Sequence, residues 1–447
     1  MAGKRIKIDV IDVVPGMFVA QLDRPWLETP FLFQGFEIRE ESEAVQLREY
    51  CQHVYVDPKR STVPAHEIKE RHRKNDGSIL VVFDKQKQKQ KQNKAVKSPS
   101  ILRRLALRLA GIDPTGTISQ RLCGVQGYKY KTSTRDEAPA AASSYNNAVN
   151  IMNDVLNQVR DGNPVNVETV RSAVTPMIDS MLRNPDAMSW FVSLQKQDEY
   201  SYQHSIATSV WAVVLGRHLG FDRQSLDKLA IGGMLMDIGK TRLPQEMLQK
   251  AGKLNAHELD LMLQHVDFGV DMVKSAPGVG RDILDMIASH HERYDGSGYP
   301  NALQGADIPV YGRIAGIVDC YDAMVTERPY QAARSSYDAV RELNKLSGTL
   351  FQKELVEQFV QALGMFPTGS LVELNTGAVG IVVEQNRVRR LRPKVMVLLD
   401  EAKQPVETHH TVDLRALPTK ADDPEAVWIA TGHEPGAFGI DSKDYFI

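Results

Sequence analysis

His290-His291-Glu292-Arg293-Tyr294-Asp295-Gly296-Ser297-Gly298-Tyr299-Pro300 sets two adjacent imidazoles at the end of an amphipathic run, with a loop of glycines and a proline directly after them. Ile283, Leu284 and Ile287 upstream carry helical spacing, so the histidines fall at a helix C-terminus. Two chemistries suit that position. Imidazoles there can complement the helix dipole, or they can hold a borderline metal while the glycines let backbone pass close to a ligand. An isolated pair does not choose between them; its company does.

Working outward, His204 lies in Tyr200-Ser201-Tyr202-Gln203-His204-Ser205 at the opening of a helix, and His265 falls in mid-helix. Asp237 ends an apolar segment, Met234-Leu235-Met236-Asp237-Ile238-Gly239-Lys240, and Asp319 sits in an apolar helix between Val318 and Tyr321. A carboxylate on an apolar face is costly unless paired or metal-bound, so both acids demand partners. Four imidazoles and two carboxylates exceed a four-coordinate structural zinc, and no cysteine clusters with them. The set suits two octahedral ions sharing a carboxylate, an arrangement that promotes phosphodiester hydrolysis. Lys240, three residues after Asp237, is placed to meet a phosphate oxygen as a point charge.

The rest of the chain frames this constellation. Its 447 residues, 42% hydrophobic and 25% charged, are enough for two or three soluble globular domains. No apolar run is long enough to cross a bilayer and no signal-peptide core follows Met1, so the expected location is cytoplasmic. Cys51, Cys123 and Cys320 are scattered, which fits a reducing compartment and excludes a disulfide framework. Residues 1–135 hold 25 lysines and arginines against 15 acids, leaving 29 against 41 for the remainder. Much of the basic excess is the run Lys85-Gln86-Lys87-Gln88-Lys89-Gln90-Lys91, which lacks interleaved aromatics; specific nucleic-acid binding is not expected of it.

The periodicity predicts a multidomain protein. Residues 1–57 read as a small β-rich domain, with alternation over Lys7–Val13, a Pro15-Gly16 turn, a strand at Met17–Ala20, a helix near Glu43–Tyr50 and a strand at Val54–Val56. Residues 58–143 read as a polar, basic linker region containing one amphipathic stretch, Ile101–Leu109. Residues 144–365 read as an all-α domain, with helices near 200–218, 226–238, 256–274, 281–290, 310–326, 336–346 and 353–363. Asn255 and Glu258 form a capping-box pattern, and Gly239 stands as a helix stop. Residues 366–447 return to period two as a small β appendage, whose His409-His410 pair lacks acidic partners and is left on the surface.

The order His204, Asp237-Ile238-Gly239-Lys240, His265, His290-His291, Gly298-Tyr299-Pro300, Asp319 resembles the HD-GYP family of bacterial metal-dependent phosphodiesterases that cleave cyclic di-GMP. Tyr321-Asp322-Ala323-Met324-Val325-Thr326-Glu327-Arg328-Pro329-Tyr330 is similar to that family's segment after its last aspartate, and residues 1–135 resemble a small domain of unknown function that often precedes it. The resemblance, over roughly 185–365, implies an HD-type helical core and two divalent cations, iron or manganese. By it, His204, Asp237 and Asp319 hold the first ion, and His265, His290 and His291 hold the second with Asp237 bridging. Lys240 then contacts the scissile phosphate, Arg328 the second phosphate, and Gly298-Tyr299-Pro300 forms a lip that also serves signalling partners. The implied reaction opens cyclic di-GMP to linear pGpG and, on further cleavage, GMP.

Three positions depart from the family pattern. Met236 stands where the family has the histidine of its HD pair, and a thioether is a poor ligand for hard or borderline ions. Tyr200 replaces the glutamate of trinuclear members, and Gln331 replaces a frequent base. A catalytically weakened receptor or scaffold is therefore the alternative expectation.

Overall fold

The computed structural model describes residues 6–23, 36–38, 41–58, 60–64, 66–68, 128–193, 200–250, 252–327, 332–386, 389, 391–418, 423, 425–440 and 445. The lysine-glutamine run at 85–91, the amphipathic stretch at 101–109, Arg328 and Gln331 lie outside the described residues. The chain divides into two compact units, one built mainly on residues 1–97 and one on most of residues 98–447.

In the first unit, strands β1 (Ile6–Asp9), β2 (Phe18–Leu22), β3 (Phe36–Glu37) and β4 (His53–Val56) form an antiparallel sheet in the order β1-β4-β2-β3. Helix α1 (Glu41–Tyr50) adds Ala44 and Leu47 to a core with Ile8, Met17, Val19, Ile38, Val54 and Val56. The alternation over Lys7–Val13 predicts one long strand, but the strand stops at Asp9. Its carboxylate accepts from the Ile11 amide at 3.1 Å and caps a 3₁₀ turn over Val10–Asp12, a local bond that competes with the sheet ladder.

The second unit is helical and then β. Helix α2 (Thr134–Arg160) begins inside the segment read as linker, because Ser133 accepts from the Asp136 amide and the alanine-rich turns after it favour helix. α3 (Val167–Arg183) and α4 (Pro185–Ser193) come next, and Arg183 clamps the buried Glu137 of α2 through Nε at 2.9 Å and Nη2 at 2.7 Å. α5 (Tyr200–Leu219) is buried around nearly its whole circumference, as expected of a helix apolar on all faces, and is the central rod of the domain. α6 (Arg223–Leu235), the short α7 (Gln245–Leu248), α8 (Ala256–Leu263), α9 (His265–Val273), α10 (Arg281–Ser289), α11 (Val310–Val325), α12 (Ser336–Leu346) and α13 (Lys353–Leu363) complete the α-helices among the described residues of this unit.

Two boundaries differ from the periodicity in ways that shape the site. The α-helix read through Ile238 ends at Leu235 and continues after Asp237 as a 3₁₀ turn, Ile238–Arg242. Gly239 is therefore not a helix stop but a contact point, since a Cβ there would lie 1.9 Å from the His265 carbonyl oxygen and 2.5 Å from the Gly269 amide. The helix read as continuous over 256–274 breaks at Gln264, although its predicted capping box at Asn255 and Glu258 is present. His265 Nδ1 donates to the Met262 carbonyl at 2.6 Å, a carbonyl that an unbroken helix would commit to the amide four residues on. His265 thus opens a helix rather than sitting in the middle of one.

The C-terminal strands β5 (Leu371–Leu374), β6 (Val379–Glu384), β7 (Lys394–Leu399), β8 (Pro405–Asp413) and β9 (Ile429–His433) form an antiparallel sheet ordered β8-β7-β6-β5-β9. Trp190 of α4 joins Leu371, Val379, Ile381 and Leu398 in its core. β8 is one of the two edge strands, and His409 and His410 on it are exposed. No helix among the described residues is long and apolar enough to cross a membrane.

The close approach at Gly239 yields a stability test. Gly239→Ala should cost about 1–3 kcal/mol by overpacking and lower the Tm by several degrees, whereas Gly252→Ala, with nothing within 4 Å, should leave it unchanged. Thermal denaturation tracked by circular dichroism reads both.

Candidate metal centre

Five helical segments meet at one buried point. α5 contributes His204 from its second turn; the junction after α6 contributes Asp237; α9 opens with His265; and α10 closes onto His290 and His291. α11 adds Asp319. His204, His265 and His290 are at most 2% exposed, and the Asp237 and Asp319 side chains are nearly as deep.

The two oxygens of Asp237 face different histidines. Oδ2 lies 3.4 Å from His204 Nε2 and 2.7 Å from Lys240 Nζ, while Oδ1 lies 3.4 Å from His265 Nε2 and 3.6 Å from His290 Nε2. Asp319 repeats the pattern, with Oδ1 3.1 Å from His204 Nε2 and Oδ2 3.8 Å from His291 Nδ1. The ligand atoms of Asp237, His265, His290 and His291 all lie within 4.8 Å of one another, so this group can hold a metal ion.

Hydrogen bonds behind the histidines aim their lone pairs inward. His265 Nδ1 donates to Met262 O and His290 Nδ1 donates to Ile287 O at 2.8 Å. A carbonyl only accepts, so the proton sits on Nδ1 and each Nε2 presents a lone pair. Those two nitrogens face each other at 3.3 Å, where two lone pairs repel unless a cation lies near both. Asp237 Oδ1 is buried and has no hydrogen-bond partner. An orphaned carboxylate oxygen beside two converging lone pairs is the donor set a divalent cation completes.

His204 is oriented from behind by a residue that the sequence reading did not single out as functional. Asp322 Oδ2 accepts from His204 Nδ1 at 2.7 Å, and its Oδ1 accepts from Trp211 Nε1 at 3.0 Å. Asp322 is one helical turn after Asp319 in an apolar helix, and that i, i+3 spacing on one face was the available signal.

The electrostatics stem from the packing. Burial pushes the Asp237 carboxyl up, but Lys240 and the histidines around it outweigh that and hold it well below the usual carboxylate range. Asp319 is likewise raised by burial and brought far down by His204 and His291. Burial, then His290, drives the His291 imidazole well below its ordinary value, which keeps it a lone-pair donor.

The loop after the tandem histidines is pinned to them. Buried Glu292 accepts from the Asn301 amide at 2.8 Å and the Leu303 amide at 2.9 Å. A Cβ at Gly298 would fall 2.3 Å from the Arg293 amide nitrogen, so only glycine lets the loop fold back this tightly. Tyr299 then stacks on His291, ring centroids 4.6 Å apart. A cavity of about 210 Å³ opens beside His204, Asp237 and Lys240. Met236, next to Asp237, is fully buried, and Arg328 lies outside the described residues.

Residues 187–355 match the HD domain, residues 5–170 the domain of unknown function DUF3391, and residues 371–420 the KOW domain associated with HD domain. The chain thus joins a segment similar to DUF3391 to a following segment similar to the HD domain. It is 32% identical over 260 residues to the cyclic di-GMP phosphodiesterase PA4108 of Pseudomonas aeruginosa, a match covering 58% of this chain and 63% of that protein. It is 35% identical over 159 residues to the 3'3'-cGAMP-specific phosphodiesterase 2 of Vibrio cholerae, covering 35% and 30%. To the cyclic di-GMP phosphodiesterase of Thermotoga maritima it is 32% identical over 166 residues, covering 37% and 45%. The chain thus spans less than two thirds of the length of each of these relatives.

Asp322 provides a test of the centre. In Asp322→Asn the amide oxygen would face Trp211 and the NH₂ would donate to His204 Nδ1, forcing the proton onto Nε2 and removing its lone pair. Mn²⁺ affinity measured by titration calorimetry should fall about 10–100-fold with the fold intact.

Proposed function

We propose that this chain is a metal-dependent phosphodiesterase that hydrolyses cyclic di-GMP to linear pGpG and onward to GMP. The observation that carries the reading is the Asp237 carboxylate, with one oxygen turned to His204 and the other, unpartnered, turned to His265 and His290. That disposition suits a carboxylate shared between two divalent cations, iron or manganese. His204, Asp237 and Asp319 would hold the first, and His265, His290 and His291 the second. When bound, such a pair supplies an activated water and charge stabilisation for in-line displacement at phosphorus.

The chain's own residues supply the remainder. Asp322 fixes the His204 tautomer, and the Met262 and Ile287 carbonyls fix those of His265 and His290. Lys240, 2.7 Å from Asp237, offsets the buried charge and is placed to meet an oxygen of the scissile phosphate. Tyr299, stacked on His291, gives the Gly298-Tyr299-Pro300 lip an apolar wall that shields the centre from water. Arg328 is assigned the second phosphate by family resemblance alone. The curated relatives act on cyclic di-GMP or 3'3'-cGAMP, which favours a cyclic dinucleotide as substrate class.

A second reading rests on Met236. A buried thioether stands beside Asp237 where the family has an imidazole, leaving the first cation one ligand short. In that reading the protein binds cyclic di-GMP as a receptor and engages signalling partners through Gly298–Pro300.

Purified protein supplied anaerobically with Fe²⁺, or with Mn²⁺, is expected to convert cyclic di-GMP, as measured by chromatography of products, and Asp237→Ala to lower kcat/KM by more than about 100-fold. A wild type inert over hours alongside an active Met236→His variant would instead establish the receptor reading.

A further inference from the structure

The two cation positions differ in what already engages their donor atoms. At the second, Asp237 Oδ1 is buried without a hydrogen-bond partner, and His265 Nε2 and His290 Nε2 lie 3.4 and 3.6 Å from it. Backbone carbonyls hold both ring protons on Nδ1, so this group of lone pairs is left for a cation to complete. At the first, each of these donors has a partner. Asp237 Oδ2 accepts from the Lys240 ammonium at 2.7 Å, and His204 lies 2.7 Å from Asp322 Oδ2 through Nδ1 and 3.1 Å from Asp319 Oδ1 through Nε2. A cation there has to displace the Nε2 contact and share Oδ2 with an ammonium, and two positive charges on one buried oxygen repel. The buried Met236 thioether supplies no compensating ligand.

Access differs in the same sense. His204, Asp237 and Lys240 line the cavity of about 210 Å³, whereas His265, His290 and His291 are not among its lining residues. His265 and His290 are at most 1% exposed, and the Tyr299 ring covers His291 at 4.6 Å between centroids. We infer that the positions load unequally: the second is filled first and keeps its ion, and the first takes an exchangeable ion, so that the supply of free divalent metal sets whether the chain only holds a cyclic dinucleotide or hydrolyses it. This rests on the two-cation phosphodiester reading above. Lys240 sets the difference. Its ammonium neutralises Asp237 Oδ2 while the first position is empty, and its flexible stem lets it turn to a phosphate oxygen when that position fills.

The test titrates full-length apoprotein with Mn²⁺ by calorimetry in the absence of substrate, and counts metal retained after gel filtration by mass spectrometry. Wild type should retain one ion per chain, with the electron paramagnetic resonance pattern of an isolated ion, and take up a second about 10–100-fold more weakly. Lys240→Met, which removes the ammonium and keeps the stem, should tighten the weaker event about tenfold and leave the tighter one unchanged. Met236→His should tighten it as well by adding a ligand. Two ions retained by wild type, none retained, or a weaker event that Lys240→Met does not move overturns the proposal. Should Met236→His lose its circular dichroism, Lys240→Met, at a side chain 26% exposed, still decides. Turnover of cyclic di-GMP is read separately and should rise with occupancy of the weaker position. Full turnover with one ion overturns the regulatory role, whereas no turnover with both positions filled ends the hydrolytic reading and leaves the loading order standing.

Discussion

Three carboxylates, Asp237, Asp319 and Asp322, surround the single imidazole of His204 in the interior of a helical domain. Among the described residues, Lys240 is the only basic side chain paired with any of them apart from the histidines. Concentrating that much negative charge away from water is unfavourable unless it is compensated on the spot. The imidazoles provide part of the compensation, and the unpartnered Asp237 oxygen marks where it is incomplete. The fold around this point is arranged to keep those groups together.

That arrangement accounts for features that look irregular in isolation. The helix before Asp237 stops short, the Gly239 turn presses against the backbone at His265, and the segment from Asn255 breaks at Gln264. Each departure from ideal helix brings a ligand atom toward the same spot. The interruption at Gln264 frees the His265 ring to use the Met262 carbonyl, which in turn fixes where its lone pair points. Regular helices would bury apolar surface equally well but would not converge in this way.

The site is also supported from outside the matched HD segment. Trp211 reaches Asp322 within the domain, whereas Leu156 and Arg160 bring α2 to the cavity from the preceding segment. The helical domain that begins at Thr134 therefore combines residues from two matched families in one core, and the linker reading of residues up to 143 fails because alanine-rich helix carries few large apolar residues to reveal its period.

Periodicity and residue chemistry in the sequence were enough for the helical core between two small β regions, for most helix boundaries to within a few residues, and for the six histidines and aspartates that meet at the centre. They sufficed because burying an ionisable residue on an apolar face is costly, so such a residue stands out in the linear pattern. What only tertiary structure decided was direction: which Asp237 oxygen faces which histidine, that Asp322 stands behind His204, and that Arg160 faces the cavity at all. Those relations join residues distant in sequence through helix crossings and carbonyl contacts. No local spacing encodes them, because they come into being only when separate helices pack.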